Sequence, residues 1–286
     1  MPGAAYPGRV LLLLPPSEGK TPAPADAAPV DLTGLTAADA LTARRTEVLD
    51  ALGAVSARPD AAQVLGVGAS LGEEIARNTR LRTEPAAPAA QVYTGVLYAA
   101  AGLASLPGDA AARAARTVRV FSGLWGVVAP ADRVPAYRLS MGVDLPGVGR
   151  LASAWRAPLG AALDARAAGD VVVDCRSAAY LAAWKPRTTG DGAAEWVTVR
   201  VVREAAGRRS VVSHNAKHTR GVLTGHLLRR PGEPTSAAEL LKAAEELVGE
   251  VVGTEVGSGL SYRVLEATLH AATGRSGPQT LELVVG

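Results

Sequence analysis

Short apolar, β-branched runs punctuate the chain at 10–14, 118–121, 171–173, 196–202, 211–213 and 281–285. Runs of this length and composition predict buried strands. Between them, Ala- and Leu-rich stretches at 37–52, 151–168 and 237–252 carry apolar residues at helical spacing, and Ser236 followed by Glu239 writes a capping box at the start of the last. The alternation predicts an α/β domain, with α+β as the alternative, built on a central mixed sheet. The segment 204–208 with Gly207 is turn-length and separates two strand-like runs, which predicts an antiparallel hairpin and argues against a purely parallel sheet. Pro- and Ala-rich connectors at 22–29 and 83–90 bracket a mainly helical insert over 31–82, expected to be a subdomain within a single domain spanning 1–286. The Gly-rich stretch 253–286 offers no further motif.

Composition narrows the function classes. With 286 residues and 48% hydrophobic side chains the chain has material for a sizeable core. Its net charge of +3 is too mild to identify a polyanion binder without local clustering. No apolar run approaches the roughly 18 residues that a membrane helix needs. The run 10–14 is halted by Pro15 and Pro16, too short for a secretory signal core, so a cytoplasmic protein with no membrane partner is expected. A single cysteine, Cys175, excludes an intramolecular disulfide and a thiolate zinc cluster. Of thirty basic residues only Lys20, Lys185, Lys217 and Lys242 are lysine. In so Arg-rich a chain, the retained Lys20, Lys185 and Lys217 point to a role that needs a compact amine able to lose its proton, whereas Lys242 lies in a helix-patterned surface stretch and reads as a solvated charge.

Three local motifs invite chemistry. Gly19-Lys20-Thr21 ends like a phosphate-binding P-loop, but Leu14 stands where the first glycine belongs, and Pro15 and Pro16 remove backbone donors. What remains is a strand-end loop bearing Ser17, Glu18 and Lys20, where α/β folds place ligands. Leu65-Gly66-Val67-Gly68, followed by Leu71 and Ile75, has the apolar-Gly-apolar-Gly form of a helix-hairpin-helix. Gly66 and Gly68 would bring backbone amides to a DNA phosphate, with Arg77, Arg80 and Arg82 following. His214 and His218 share a helix face, yet no carboxylate lies near them in sequence, so no metal centre is expected. Tyr180 and Lys185 stand five apart rather than the four of a dehydrogenase pair, and no cofactor is predicted.

More telling is a set of polar residues at the ends of the strand-like runs. Tyr93 and Thr94, Ser122 to Trp125, Tyr137 and Arg138, Asp174, Ser177 and Tyr180, then Asn215, Lys217 and Arg220 are its members. Together with Lys185 they would offer cations, a carboxylate, hydroxyls and aromatic faces to an anionic, nucleobase-like ligand.

These residues also resemble a known family. Ser122-Gly123-Leu124-Trp125-Gly126-Val127, Pro130-x-Asp132, and Pro135-x-Tyr137-Arg138-Leu139-x-Met141-Gly142 look like the signature of the peroxide stress protein YaaA family. Val92-Tyr93-Thr94-Gly95 precedes it, and Ser177-x-x-Tyr180, Lys185-Pro186 and Ala216-Lys217-x-x-Arg220-Gly221 follow in the family's order. The resemblance runs over about 10–230. It implies one α/β domain with a helix-hairpin-helix that binds DNA and helps cells survive hydrogen peroxide by limiting unincorporated iron. The chain departs from the family pattern in the Glu18-Gly19 pair of the first loop, in Asn215 before Ala-Lys, and after Glu233, where the family's acidic, aromatic stretch is not recognisable.

Two function readings follow. In the first, the chain is a DNA-binding stress protein whose Lys- and Arg-lined pocket receives a base or strand end. In the second, it is an enzyme acting on a nucleobase or nucleoside, for example by glycosidic-bond cleavage. Lys217 would then be nucleophile or base, aided by Asp174, Lys20, Ser122 and Tyr137.

Overall fold

The computed structural model describes residues 10–205, 207–211, 213–254 and 261–286. Nine strands form the main sheet: β1 (Val10–Leu14), β2 (Val118–Ser122), β3 (Gly126–Val128), β4 (Val171–Asp174), β5 (Glu195–Ala205), β6 (Arg208–Val211), β7 (Val251–Thr254), β8 (Ser261–His270) and β9 (Gln279–Val285). Their order is β7-β8-β9-β5-β4-β1-β2-β3, with β6 paired to β5 outside this path. The five central strands β9, β5, β4, β1 and β2 run parallel, and β8, β7, β3 and β6 pair antiparallel at the margins. The predicted mixed sheet in an α/β domain is therefore what forms. Its central strands are apolar on both faces, as parallel strands covered on both sides must be: every residue of β1 and β4 is buried.

The α-helices of five or more residues are α1 (Ala38–Ser56), α2 (Ala61–Leu65), α3 (Gly72–Arg77), α4 (Val96–Ala101), α5 (Gly108–Thr117), α6 (Arg156–Ala167), α7 (Ser213–Arg229) and α8 (Ala237–Glu245). In α1 the buried residues Leu41, Arg45, Val48, Leu49, Leu52 and Val55 fall at three- and four-residue steps, so one stripe faces inward. That stripe joins the same hydrophobic cluster as the sheet. In α8 the Ser236 hydroxyl accepts the Glu239 N–H at 3.1 Å, as the capping pattern predicts, while the Glu239 carboxylate takes the Thr235 N–H at 2.8 Å.

Some boundaries differ from those read in the sequence. The run 211–213 is not a strand of its own: the return arm of the hairpin is Arg208–Val211, set by Gly207 at φ 71°, and α7 begins at Ser213. The stretch 237–252 leaves the helix after Glu245 and enters β7, and the motif-poor stretch from 253 onward supplies β8 beside the β9 that the run 281–285 predicted. The alternating burial of β8 is broken by exposed charge and a register shift between Val264 and Glu266, which masks its period of two.

Helices α4 and α7 pack at very short range, which Gly221 and Gly225 allow. A Cβ on Gly221 would lie 2.2 Å from the Leu97 carbonyl oxygen and 2.8 Å from Ala100 Cβ. Replacing glycine by alanine inside a helix ordinarily stabilises by about 0.5–1 kcal/mol. Gly221→Ala is expected to do the opposite, lowering stability by about 2–4 kcal/mol as the helices are forced apart. Gly72→Ala, where no atom lies within 4 Å of the added Cβ, is expected to be neutral or slightly stabilising. Thermal melts of the two variants beside the parent check the sign.

Candidate functional site

Because the central strands are parallel, the loops after β1 and β4 leave the same edge of the sheet. The chain passes from β1 to β2 on one side and returns to β4 on the other, which makes this edge a topological switch point where α/β sheets bind ligands. A cleft of about 750 Å³ opens there. Pro15 to Lys20 from the β1 loop, Thr94 to Tyr98 at the start of α4, and Arg138 to Ser140 form much of its lining. Cys175, Ser177 and Tyr180 after β4 and Lys217 and Arg220 on α7 complete the far wall. Leu65, Gly66 and Val67, the turn of the hairpin motif, stand at the same opening.

Lys20 is held there by backbone and side chain. Its main chain bridges to Tyr93, and the next amide, Thr21 N–H, donates to the Val92 carbonyl at 2.9 Å. Its ammonium donates to the Ser17 carbonyl at 3.0 Å and the Glu18 carbonyl at 3.4 Å and lies 4.3 Å from the centre of the Tyr137 ring. Burial of the amine, then repulsion from Arg138, lowers its pKa from 10.5 to about 7 against the attraction of Glu74 and Glu18. Arg138 is oriented by Asn78: the Asn78 amide oxygen accepts the Arg138 N–H at 2.9 Å and its nitrogen donates to the Arg138 carbonyl at 2.9 Å. The Arg138 guanidinium donates to the Glu18 carbonyl at 3.1 Å and lies 3.7 Å from the Glu74 carboxylate. Arg220 donates twice to the Val199 carbonyl, at 3.1 and 2.8 Å, which fixes it against β5. Lys217 is exposed at the rim.

The sequence-predicted set divides in two. Ser17, Glu18, Lys20, Thr94, Arg138, Ser177, Tyr180, Lys217 and Arg220 line the cleft. Tyr93, Ser122, Trp125 and Tyr137 lie behind its wall, buried in a hydroxyl chain: Tyr137 Oη is 2.6 Å from Ser122 Oγ and 3.0 Å from Tyr93 Oη. The Ser122 hydroxyl also accepts the N–H groups of Leu124 and Trp125. The Trp125 ring, wholly buried, meets Tyr137 edge-on at 6.1 Å, so its face does not reach the cleft. Asp174 is equally enclosed, chelated by Arg176 at 2.8 and 2.6 Å and by the Trp196 indole N–H at 3.0 Å. Lys185 is exposed and does not line the cleft. The Asn215 and His214 side chains lie outside the described residues, and the His218 ring packs against Tyr262 at 6.1 Å.

In the hairpin motif Gly66 ends α2 at φ 64°, its N–H donating to the Gln63 carbonyl and the Val67 N–H to the Ala62 carbonyl, a Schellman arrangement. Gly66 reaches the cleft, while Gly68, Arg77 and Arg80 do not line it. Glu73 and Glu74 occupy the first turn of α3, and Arg80 and Arg82 are paired with Glu84 and Asp50 at 2.8 and 2.6 Å. Asn78, Glu74 and Cys175 escaped the sequence reading as site residues. Cys175 is buried, and that burial pushes its thiol up to about 12. Among the described residues no group of three or more His, Cys, Asp or Glu is placed to hold a metal ion, and no helix is long and apolar enough to cross a membrane.

A family model described as peroxide stress protein YaaA matches residues 10–246. A UPF0246 protein of Streptomyces coelicolor is 46% identical over 263 residues, covering 91% of this chain and 99% of its own length. A second UPF0246 protein, from Corynebacterium efficiens, is 38% identical over 279 residues, covering 96% of this chain and 100% of its own. The chain thus belongs to the peroxide stress protein YaaA family, in agreement with the signature at 122–142.

The low pKa of Lys20 has a stability consequence. Below about pH 7 the amine is protonated folded and unfolded alike, and the folded state bears the whole cost of an enclosed ammonium. Between about 7 and 10.5 the folded amine sheds its proton first, so the cost shrinks as pH rises. Lys20→Met removes this cost together with pH-independent hydrogen bonds. Its Tm relative to the parent is therefore expected to be higher at about pH 6 than at about pH 9.5. Thermal melts at the two pH values test this; a flat or reversed difference would mean that the amine is well solvated.

Proposed function

We propose that this family member acts in peroxide stress by binding DNA through the phosphate backbone and seating one phosphate-bearing nucleotide unit, a base or a strand end, in the cleft. The observation that carries this reading is the meeting of two features in one opening: the Leu65–Gly66–Val67 turn and four cations, Lys20, Arg138, Lys217 and Arg220. The Gly66 and Val67 N–H groups are already spent on carbonyls of α2, so the turn shapes the opening, while clustered Lys and Arg bind phosphate without reading sequence and with an affinity that depends on salt. The cleft volume suits a ligand of nucleotide size. Engagement here keeps a reactive DNA unit away from bulk oxidant, which is how binding would serve protection against peroxide- and iron-driven damage.

Glu73 and Glu74 at the start of α3 disfavour a phosphate at that helix terminus, so the contacts fall on the cleft cations rather than on α3.

Fluorescence anisotropy with a short labelled duplex and with the corresponding single strand, at two salt concentrations, tests the reading. Affinity is expected to fall steeply with salt. Lys217→Glu, at the exposed rim, is expected to weaken binding to both and to lower the salt slope by about one or more. Binding that is absent, or insensitive to both salt and this substitution, would remove DNA as the partner.

A further inference from the structure

Of the four lysines, Lys185, Lys217 and Lys242 are exposed, and Lys20 is drawn into the cleft wall. Its surroundings suit a neutral amine as well as an ammonium. A neutral amine has two N–H donors and one lone pair. The Ser17 and Glu18 carbonyls, at 3.0 and 3.4 Å, match two donors and leave the lone pair free. The Lys20 bridge to Tyr93 and the Thr21 N–H bond to Val92 fix the main chain at the cleft, and the two carbonyl bonds hold the amine itself. Burial and Arg138 keep a sizeable neutral fraction near pH 7, the condition under which a lysine is nucleophilic. Arg138, Lys217 and Arg220 line the same cleft and are suited to hold an anion beside it.

We propose that Lys20 Nζ is a nucleophile toward a phosphate-bearing aldehyde, the open-chain form of a 2-deoxyribose phosphate that has lost its base, with the phosphate held by Arg138 and Lys217. The class of ligand follows from combining a carbonyl-reactive amine with adjacent anion receptors. DNA as the source of that aldehyde rests on the proposed function, and a free sugar phosphate carries the same chemistry. In the step, the Nζ lone pair forms a bond to the aldehyde carbon, and the carbonyl oxygen takes up a proton to give a carbinolamine. The C–O bond then breaks, and the oxygen departs as water with one further proton. The product is an imine, protonated to an iminium, and water reverses the sequence. No oxidant or reductant is consumed.

Trapping with sodium cyanoborohydride, which delivers hydride to the iminium carbon and fixes the C–N bond, tests the inference. The full chain is incubated with an oligonucleotide carrying one abasic site and, separately, with 2-deoxyribose 5-phosphate. Peptide mapping by mass spectrometry is expected to place the adduct on Lys20, about tenfold or more above Lys185 and Lys242. Lys20→Arg, with its fold checked by thermal melting, is expected to lose it. Should that variant not fold, the position of the adduct in the parent chain still decides. Labelling spread evenly over the lysines, or no adduct from either reagent, overturns the nucleophile. In the second case, anisotropy showing that the oligonucleotide is bound leaves the DNA reading standing. An adduct from the sugar phosphate alone, with the oligonucleotide unbound, supports the nucleophile and overturns DNA as its source.

Discussion

One enclosed guanidinium ties the molecule together. Arg45 on α1 has no solvent exposure, and its nitrogens donate to the carbonyls of Trp125 at 3.0 Å, Val127 at 2.9 Å and Thr36 at 2.7 Å. Burial lowers its pKa to about 10, with Asp132 acting in the opposite sense, so the group stays charged at neutral pH. A charge in such a place is tolerable only when most of its donors are met: three carbonyls from two segments satisfy Nε and Nη2, while Nη1 has no partner among the described residues. Asp132 extends the clasp by accepting N–H groups from Thr36 and Ala129, both at 3.0 Å. The insert is thereby fixed to the β2–β3 turn. With the insert fixed, α2, α3 and Asn78 bring the hairpin turn and Arg138 to the rim of the cleft.

The same clasp explains what could be read in the sequence. The signature at 122–142 identifies the family, and it encodes frame as much as site. Gly126, at φ 69°, has the Trp155 ring where a Cβ would go, within 2.7 Å, and Gly123 lies against the backbone at Ser140, within 3.0 Å. Ser122 stitches the turn with its hydroxyl. Conspicuous side chains such as Trp125, Tyr137 and Asp174 suggested a ligand because aromatics and carboxylates serve ligands, yet inside the wall Tyr137 bonds to Ser122 and Tyr93, Asp174 to Arg176 and Trp196, and Trp125 packs edge-on against Tyr137. Composition does not separate those two uses; only the third dimension does. Apolar runs and helical spacing carried the central strands and α1, since burial imposes those periods directly. The run 281–285 did mark β9, whereas β7 was absorbed into the helical stretch 237–252 and β8 escaped because it combines exposed charge with a bulge. Asn78 and Arg45 gave no signal at all, because a polar residue on an apolar stripe looks the same in sequence whether it faces carbonyls or water.

The cleft is an arrangement of competing charges rather than a plain basic patch. Glu18 and Glu74 moderate Lys20, while Arg138 raises the cost of its proton. An anion seated on Arg138 offsets that repulsion and moves the amine toward its protonated form, so in the filled cleft it is burial, the larger cause, that sustains the neutral fraction. The hydroxyl chain of Tyr137, Ser122 and Tyr93 lies under this balance and stays neutral, since burial pushes both phenols well up. Lys20 therefore rests on an uncharged floor, and its protonation state answers to what occupies the cleft.

The order of strands in the sheet bears on how the protein is made. β9 sits between β5 and β8, both of which precede it in the chain. During synthesis the long edge of β5, carrying Val197, Val199 and Val201, emerges some eighty residues before the strand that covers it. For that interval the nascent chain shows the ribosome and its neighbours an apolar ribbon with unpaired amides, a template for pairing with other nascent chains. The return arm Arg208–Val211 lies along the opposite edge of β5, since Val202 and Arg203 pair with it and with β9 at once, so it leaves the waiting edge open. On β5 itself Arg200 and Arg203 interrupt the apolar run and act as gatekeepers while the sheet waits for its missing member.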